Sequence, residues 1–203
     1  MVTLRLPAAL AAVALVASCG QDPAPATHGG VSSGCLTRAY PEIGGPISLV
    51  NQAGERVTEE TFKGHPTLIY FGFTYCPDVC PTTLVTVNRA YSHLPEGVEA
   101  PQTLLISVDP DRDTPEALAQ YVSNSAFPAN LQGLTGTQEE VRAAADAFLA
   151  DYSRIEQPDS QSEYSMDHTS LLYLMDENWS LKTFFTHEDT DETIAACLAE
   201  VLN

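Results

Sequence analysis

The sequence predicts an α/β sandwich with a central mixed sheet, an N-terminal β-hairpin extension and flanking helices. Two segments, PTLIYFGFTY and QTLLISVD, are almost continuously apolar, which is typical of central strands covered on both faces. A helical pattern follows each of them, which favours a parallel βαβ crossover. A predicted hairpin, SLLYLMD with LKTFF, and a final helix then complete a ββα unit.

The remaining elements fit this plan in chain order. ISLVNQAGERVT predicts the N-terminal hairpin, with a turn at residues 51–54. TTLVTVNRAYSHL and TPEALAQYVSNS predict the helices after the two central strands, and Thr114 and Pro115 suit the start of the second. TQEEVRAAADAFLADY opens with Thr137 and Glu140 at capping-box spacing, and DETIAACLAEVL predicts the closing helix. This order of elements is that of a thioredoxin-like sandwich.

Composition restricts the function. The chain has 203 residues and is 44% hydrophobic, which is enough for one domain with a substantial core. It carries 27 acidic and 9 basic residues, for a formal charge of −18. Binding to DNA or RNA depends on neutralising phosphates with Lys and Arg, so nucleic acid is excluded as a partner.

The N-terminus predicts export. Residues 1–18 have one Arg, a short apolar stretch and small residues at the end, as in a secretory signal peptide. The segment VASC, ending at Cys19, resembles a bacterial lipobox, in which the cysteine accepts the lipid. Residues 19–34 are rich in Pro, Gly, Ala and Ser, which predicts a flexible tether before a domain at residues 35–203. We therefore expect a protein anchored by lipid on the periplasmic side of a bacterial membrane, where disulfides are permitted.

Two cysteines, Cys76 and Cys80, lie where the first central strand gives way to its helix. Unpaired amides at a helix start stabilise a nearby thiolate, and Pro77 and Pro81 stiffen the connection. Three intervening residues place the sulfurs about one helical turn apart. From spacing alone, a redox disulfide and half of a metal site both remain open, while a purely structural bridge closing so short a loop would gain little.

A metal site would require a third ligand, for which His168 is the candidate. It precedes a predicted strand and follows the polar segment QPDSQSEY, and the neighbouring Asp167 could act as an outer-sphere carboxylate. Two thiolates and one imidazole suit copper, either Cu(I) or Cu(II). Zinc is the alternative, although structural zinc usually takes four protein ligands and no fourth is evident.

Other notable residues have structural interpretations. Cys197 lies on an apolar helical stripe and is expected to be a buried, inert thiol, with pairing to Cys35 left open. The aromatic run from Tyr70 to Tyr75 is expected to be core. The carboxylates in SVDPDRDTP are expected to form a loop and a helix cap rather than a calcium site.

Four segments together resemble the Sco/SenC family of copper proteins, which have a thioredoxin-like fold: LIYFGFTYCPDVCPTTL, ISVDPDRDTPEALAQYV, LQGLTG and MDHTSLLYLMD. The match runs from about Gly44 to the C-terminus, although a lipobox replaces the transmembrane anchor of many members. The resemblance implies that Cys76, Cys80 and His168 bind one copper ion.

The resemblance also implies a role as a metallochaperone, or as a factor that prepares thiols, for the dinuclear copper centre of cytochrome c oxidase. The implied partners are the copper-centre subunit of that oxidase and a periplasmic thiol reductant or another copper chaperone, with membrane contact through the lipid only. The alternative from another class is an enzyme, an extracytoplasmic thiol:disulfide oxidoreductase that uses Cys76 and Cys80 without metal.

Overall fold

The computed structural model describes residues 1, 35, 40–158 and 162–202. The predicted signal peptide, Cys19 and the tether therefore lie outside the described residues, apart from Met1. Within the described ranges, no helix has both the length and the apolar character needed to cross a membrane. The described residues from Cys35 to Leu202 form one compact unit.

A seven-stranded mixed sheet forms the centre of this unit, in the order β2-β1-β5-β4-β3-β8-β9. Its strands are β1 Ser48–Asn51, β2 Arg56–Thr58, β3 Thr67–Gly72, β4 Gln102–Ser107, β5 Leu131–Thr135, β8 Leu171–Met175 and β9 Leu181–Thr186. A separate two-stranded sheet pairs β6 Tyr152–Glu156 with β7 Tyr164–His168. The helices are α1 Glu59–Phe62, α2 Val79–Ser92, α3 Pro115–Val122, α4 Gln138–Ala147 and α5 Asp191–Val201. The predicted fold class is confirmed.

The two apolar segments are the central strands, as predicted. All six residues of β3 are buried, and β3 runs parallel to β4 with Gly72 opposite Ser107. Parallel neighbours bring their carboxyl ends to one edge of the sheet. The loop that carries the cysteines, after β3, therefore lies beside the acidic loop after β4.

Helix starts follow their capping residues. The Thr114 side chain accepts from the Ala117 amide, and Thr137 with Glu140 forms the predicted capping box. Helix α2 begins at Val79, three residues before the predicted segment, so that Cys80 lies in its first turn. Pro81 does not prevent this, because amides in the first turn have no intrahelical partner to lose.

Three features differ from expectation. Strands β5, β6 and β7 were not predicted, and His168 is the last residue of β7 rather than part of a loop. The β6–β7 pair escaped notice because four of the five β6 residues are exposed and lack apolar alternation. Tyr75 is 58% exposed, whereas Tyr70, Phe71 and Phe73 are core as expected. Strand β3 ends at Gly72, so Tyr75 lies in the loop after the strand and is not held in the buried sheet.

The default expectation for Cys197 was wrong, because it forms a disulfide with Cys35. The two Cα atoms lie 4.7 Å apart, within the range of ordinary disulfides. Cys197 is buried on α5, as its stripe predicted, but burial of one thiol does not exclude a partner that approaches from outside the helix.

Candidate metal centre

The cysteine loop turns tightly between β3 and α2. The Cys76 amide donates to the Phe73 carbonyl oxygen at 3.3 Å, and the Cys80 amide donates to the Cys76 sulfur at 3.2 Å. Cys76 is partly exposed, whereas Cys80 has no exposed surface. Both cysteines are reduced in this structure. The loop thus presents one accessible sulfur and one buried sulfur.

The two thiols have opposite acidities. A hydrogen bond from Cys80 lowers the pKa of Cys76 to about 4, helped by backbone hydrogen bonds, although burial opposes the shift. The pKa of Cys80 is raised, because it holds the proton that it shares with Cys76 and because it is buried. At neutral pH the pair therefore carries a thiolate on Cys76 and a proton on Cys80.

The structure brings His168 to this pair from the edge of β7. Its Nε2 lies 3.7 Å from the Cys80 sulfur, and its Nδ1 lies 3.2 Å from the Thr169 carbonyl oxygen. A carbonyl oxygen can only accept, so Nδ1 carries the ring proton of the neutral imidazole and Nε2 directs its lone pair at the sulfur. The rings of Tyr70 and Phe73 meet the imidazole edge to face, with centroids 6.0 and 5.8 Å away.

These donors fit a soft or borderline ion. With bonds of about 2.3 Å to sulfur and about 2.0 Å to nitrogen, a separation of 3.7 Å corresponds to roughly 120° at the ion. As they stand, the described residues contain no group of three or more His, Cys, Asp or Glu side chains already spaced to hold a metal. The Cys76, Cys80 and His168 side chains would therefore have to rearrange before one ion could reach all three.

Asp167 is exposed and lines the same surface cavity as His168 and Thr169. In the part of the chain that the structure describes, the polar partner of the imidazole Nδ1 is the Thr169 carbonyl oxygen, which lies where an outer-sphere partner is expected. An outer-sphere role for Asp167 stays a prediction.

The acidic loop after β4 forms a buried clamp on the cysteine loop. Asp113 has no exposed surface and accepts hydrogen bonds from the Thr74 amide at 3.1 Å, the Thr74 hydroxyl at 2.6 Å and the Ser107 hydroxyl at 2.6 Å. Burial raises the pKa of Asp113. Since Thr74 is two residues before Cys76, Asp113 fixes the start of the loop that carries the thiols.

A second carboxylate connects the clamp to the strand that bears His168. Asp109 is 2% exposed, accepts from the Tyr164 hydroxyl at 2.8 Å and forms an ion pair with Arg112. The Arg112 guanidinium lies 3.6 Å from the centre of the Tyr164 ring and 4.5 Å from that of Tyr75. The predicted loop and helix cap are present, but sequence reasoning missed that these carboxylates join the two halves of the site. Their position at the end of a buried strand was the available signal.

The fold and the site together define a class of protein: a thioredoxin-like domain with a paired-thiol and imidazole centre. A family model described as SCO1/SenC matches residues 37–203. The chain therefore belongs to the SCO1/SenC family.

Individual relatives agree with this assignment. Protein SCO1 homolog, mitochondrial, of Homo sapiens is 40% identical over 161 residues, which cover 78% of this chain and 52% of the relative. The crystal structure of Arabidopsis thaliana ScoI with copper bound is 35% identical with a TM-score of 0.73, covering 78% of this chain and 96% of that one. The structure of Bradyrhizobium japonicum ScoI with copper bound is 38% identical with a TM-score of 0.69, covering 79% and 99%. The chain spans between about half and two thirds of the length of the curated relatives that it matches first.

Proposed function

We propose that this chain binds one copper ion through Cys76, Cys80 and His168, and serves in assembly of the dinuclear copper centre of cytochrome c oxidase. Copper is here a cargo, delivered to the copper-centre subunit or used while the thiols of that subunit are prepared. Two observations on relatives support the choice of metal: the ScoI structures of Arabidopsis thaliana and Bradyrhizobium japonicum were both solved with copper bound.

The orientation of His168 is the observation in this chain that best supports the proposal. Its Nδ1 proton is committed to the Thr169 carbonyl, so the free lone pair of Nε2 is aimed at the Cys80 sulfur. A histidine acting only as a proton donor to the thiols would need a proton on Nε2. Thiolate sulfur suits Cu(I), and imidazole nitrogen helps to hold Cu(II).

A thiol:disulfide oxidoreductase is the second candidate. The depressed pKa of the partly exposed Cys76 and the raised pKa of the buried Cys80 are the properties of an attacking and a resolving thiol. This activity would use the same two cysteines on a partner protein and would need no metal. The role of His168 therefore separates the two functions.

The test compares His168→Ala with the wild type in two assays on one preparation: affinity for Cu(II) and the rate of reduction of a test disulfide. Because even an outer-sphere partner is typically worth about 10- to 100-fold in metal affinity, loss of His168 should weaken Cu(II) binding by at least that factor. Thiol exchange should change much less, since amides and Cys80 still stabilise the Cys76 thiolate. His187→Ala is the matched control, because it removes an exposed imidazole beyond β9. If His168→Ala kept its Cu(II) affinity but lost its thiol exchange activity, the oxidoreductase function would be favoured over the copper function.

We further propose that residues 1–18 are a signal peptide, that Cys19 carries the lipid, and that residues 19–34 tether the domain to the periplasmic side of a bacterial membrane. The VASC segment supports this assignment. Attachment would hold the site near a membrane-bound oxidase. A periplasmic thiol reductant or another copper chaperone would return the cysteine pair to its reduced, copper-ready state.

A further inference from the structure

Tyr70 lies behind the buried thiol and has no exposed surface. Its hydroxyl donates to the Cys80 sulfur across 3.8 Å, an oxygen-to-sulfur distance within hydrogen-bonding range. The Thr83 side chain also hydrogen-bonds to the Tyr70 hydroxyl. The Tyr70 hydroxyl thus has two polar partners on α2, the Thr83 side chain and the Cys80 sulfur.

Gly72 creates the space for this contact. A Cβ added there would lie 3.1 Å from the Cys80 sulfur, 3.1 Å from the Tyr70 Cε1 atom and 3.0 Å from a Leu105 methyl group. Real Cβ atoms rarely approach other atoms so closely, so a side chain at this position would push the sulfur and the phenol apart. The absence of a side chain at Gly72 therefore allows Cys80 to settle against Tyr70.

The hydrogen bond is worth more to the reduced pair than to the oxidised one. A thiol or thiolate sulfur accepts from the phenol, whereas a sulfur shared in a disulfide has a new covalent neighbour and is a poorer acceptor. The Phe73 amide also donates to Cys80, but a backbone group is available in either state. Stabilising the reduced form of a dithiol raises its reduction potential.

We propose that Tyr70 is a positioning residue that holds the Cys80 sulfur and favours the reduced cysteine pair over the disulfide. This inference rests on the proposed function only in treating Cys76 and Cys80 as the working pair. The step concerned is reduction by a small thiol such as glutathione. Two glutathione thiols give two electrons and two protons, the Cys76–Cys80 bond breaks, and one glutathione disulfide forms.

The experiment measures this equilibrium in metal-free protein at neutral pH, in glutathione buffers of known ratio, for the wild type and Tyr70→Phe. Phenylalanine keeps the ring and its edge contact with His168 while removing the hydroxyl. A hydrogen bond of ordinary net strength predicts that the equilibrium constant for reduction falls about three- to tenfold. That is a shift of about 14 to 30 mV toward more negative potential, given that tenfold corresponds to about 30 mV.

Tyr91→Phe is the matched control. Its hydroxyl is part of a partly buried pair, at 2.8 Å from the Thr103 hydroxyl, and this partner belongs to β4 and not to the site. Tyr91→Phe should leave the equilibrium constant at its wild-type value. Equal constants for Tyr70→Phe and Tyr91→Phe would overturn the proposal, as would a shift toward easier reduction.

Thr83→Val offers an independent test should Tyr70→Phe fold poorly, which its thermal unfolding midpoint would show. Loss of the Thr83 donor leaves the Tyr70 hydroxyl in place but less polarised, so the equilibrium constant should fall by less than in Tyr70→Phe. If Tyr70→Phe is unfolded and Thr83→Val has the wild-type equilibrium constant for reduction, the proposed role of Tyr70 would be contradicted. These measurements use metal-free protein. If the His168→Ala experiment refuted the copper assignment, the effect of Tyr70→Phe on the redox equilibrium could therefore still be interpreted.

Discussion

Replacing Asp113 with alanine should destabilise the domain and loosen the start of the cysteine loop. The wild-type carboxylate accepts from the Thr74 amide, the Thr74 hydroxyl and the Ser107 hydroxyl, all within 3.1 Å. Asp113→Ala leaves these three donors without that acceptor, where the Ser107 contact is buried and the two Thr74 contacts are partly buried. The loss is local to the loop that begins the candidate site.

The magnitude follows from these contacts. Each buried donor left unsatisfied costs about 1 to 3 kcal/mol, and relief from burying the carboxylate offsets part of the sum. The free energy of unfolding should fall by about 3 kcal/mol, which lowers the melting temperature by about 6 to 12 °C in a domain of this size. The folded-state pKa of Asp113 is raised, so its stabilising contribution is fully present below the unfolded-state pKa and falls as pH rises through the folded value. The cost of Asp113→Ala should therefore be larger near pH 4 than near pH 8.

The assay is thermal unfolding of the reduced, metal-free domain, followed by circular dichroism at both pH values. Asp111→Ala is the control, because Asp111 is an exposed carboxylate in the same loop that accepts an exposed hydrogen bond from the Gln138 side chain. Its removal should change stability by less than about 0.5 kcal/mol. If Asp113→Ala melts within 2 °C or so of Asp111→Ala, the clamp does not hold the loop in the way that its geometry indicates.

Three further predictions address the thiols and the anchor. Protein with Cys76 and Cys80 oxidised should take up almost no Cu(I) until a reductant is added, because a disulfide has no thiolate to offer; tight stoichiometric uptake would indicate a different site. In reduced, metal-free protein, the rate of Cys76 alkylation by iodoacetamide should stay nearly constant from about pH 6 to about pH 9, because the pKa of Cys76 lies near 4 and the thiol is already ionised. A tenfold rise in this rate per pH unit would instead indicate a thiol of ordinary pKa. Cys19→Ser should abolish lipid labelling in cells and leave copper binding by the domain unchanged, and unlabelled wild-type protein would refute the lipobox assignment.

Much of the fold could be predicted because its signals are local. Thr114, Thr137 and Glu140 form the caps that their spacing indicates, and the apolar segments are buried central strands. The cysteine pair could also be identified from the sequence, because two thiols at a strand-to-helix junction are typical of a redox pair or of metal ligands. His168 is 88 residues from Cys80 in sequence. Its position before a predicted strand made it the candidate third ligand, and the family resemblance pointed to the same residue.

The rest of the site depends on contacts that carry no local signal. Tyr70 is one of several aromatic residues in a buried strand, and its sequence context does not show that its hydroxyl reaches Cys80. Strand β6 is mostly exposed, so it lacks the apolar alternation from which strands are recognised. The polar contact of the imidazole Nδ1 is with the backbone carbonyl of Thr169, and backbone carbonyls are present at every residue and so give no sequence signal.

The cysteines of the domain are nested: Cys35 pairs with Cys197 and encloses Cys76 and Cys80. For a chain that enters an oxidising compartment N-terminus first, Cys35 would meet Cys76 and Cys80 long before its native partner arrives. Four cysteines allow three complete pairings, and oxidation in order of emergence gives a wrong one. Correct maturation of an exported chain therefore requires either that oxidation waits for α5 or that an isomerase exchanges the early bonds. In an exported chain, the order in which the thiols leave the membrane would thereby constrain formation of the candidate metal site.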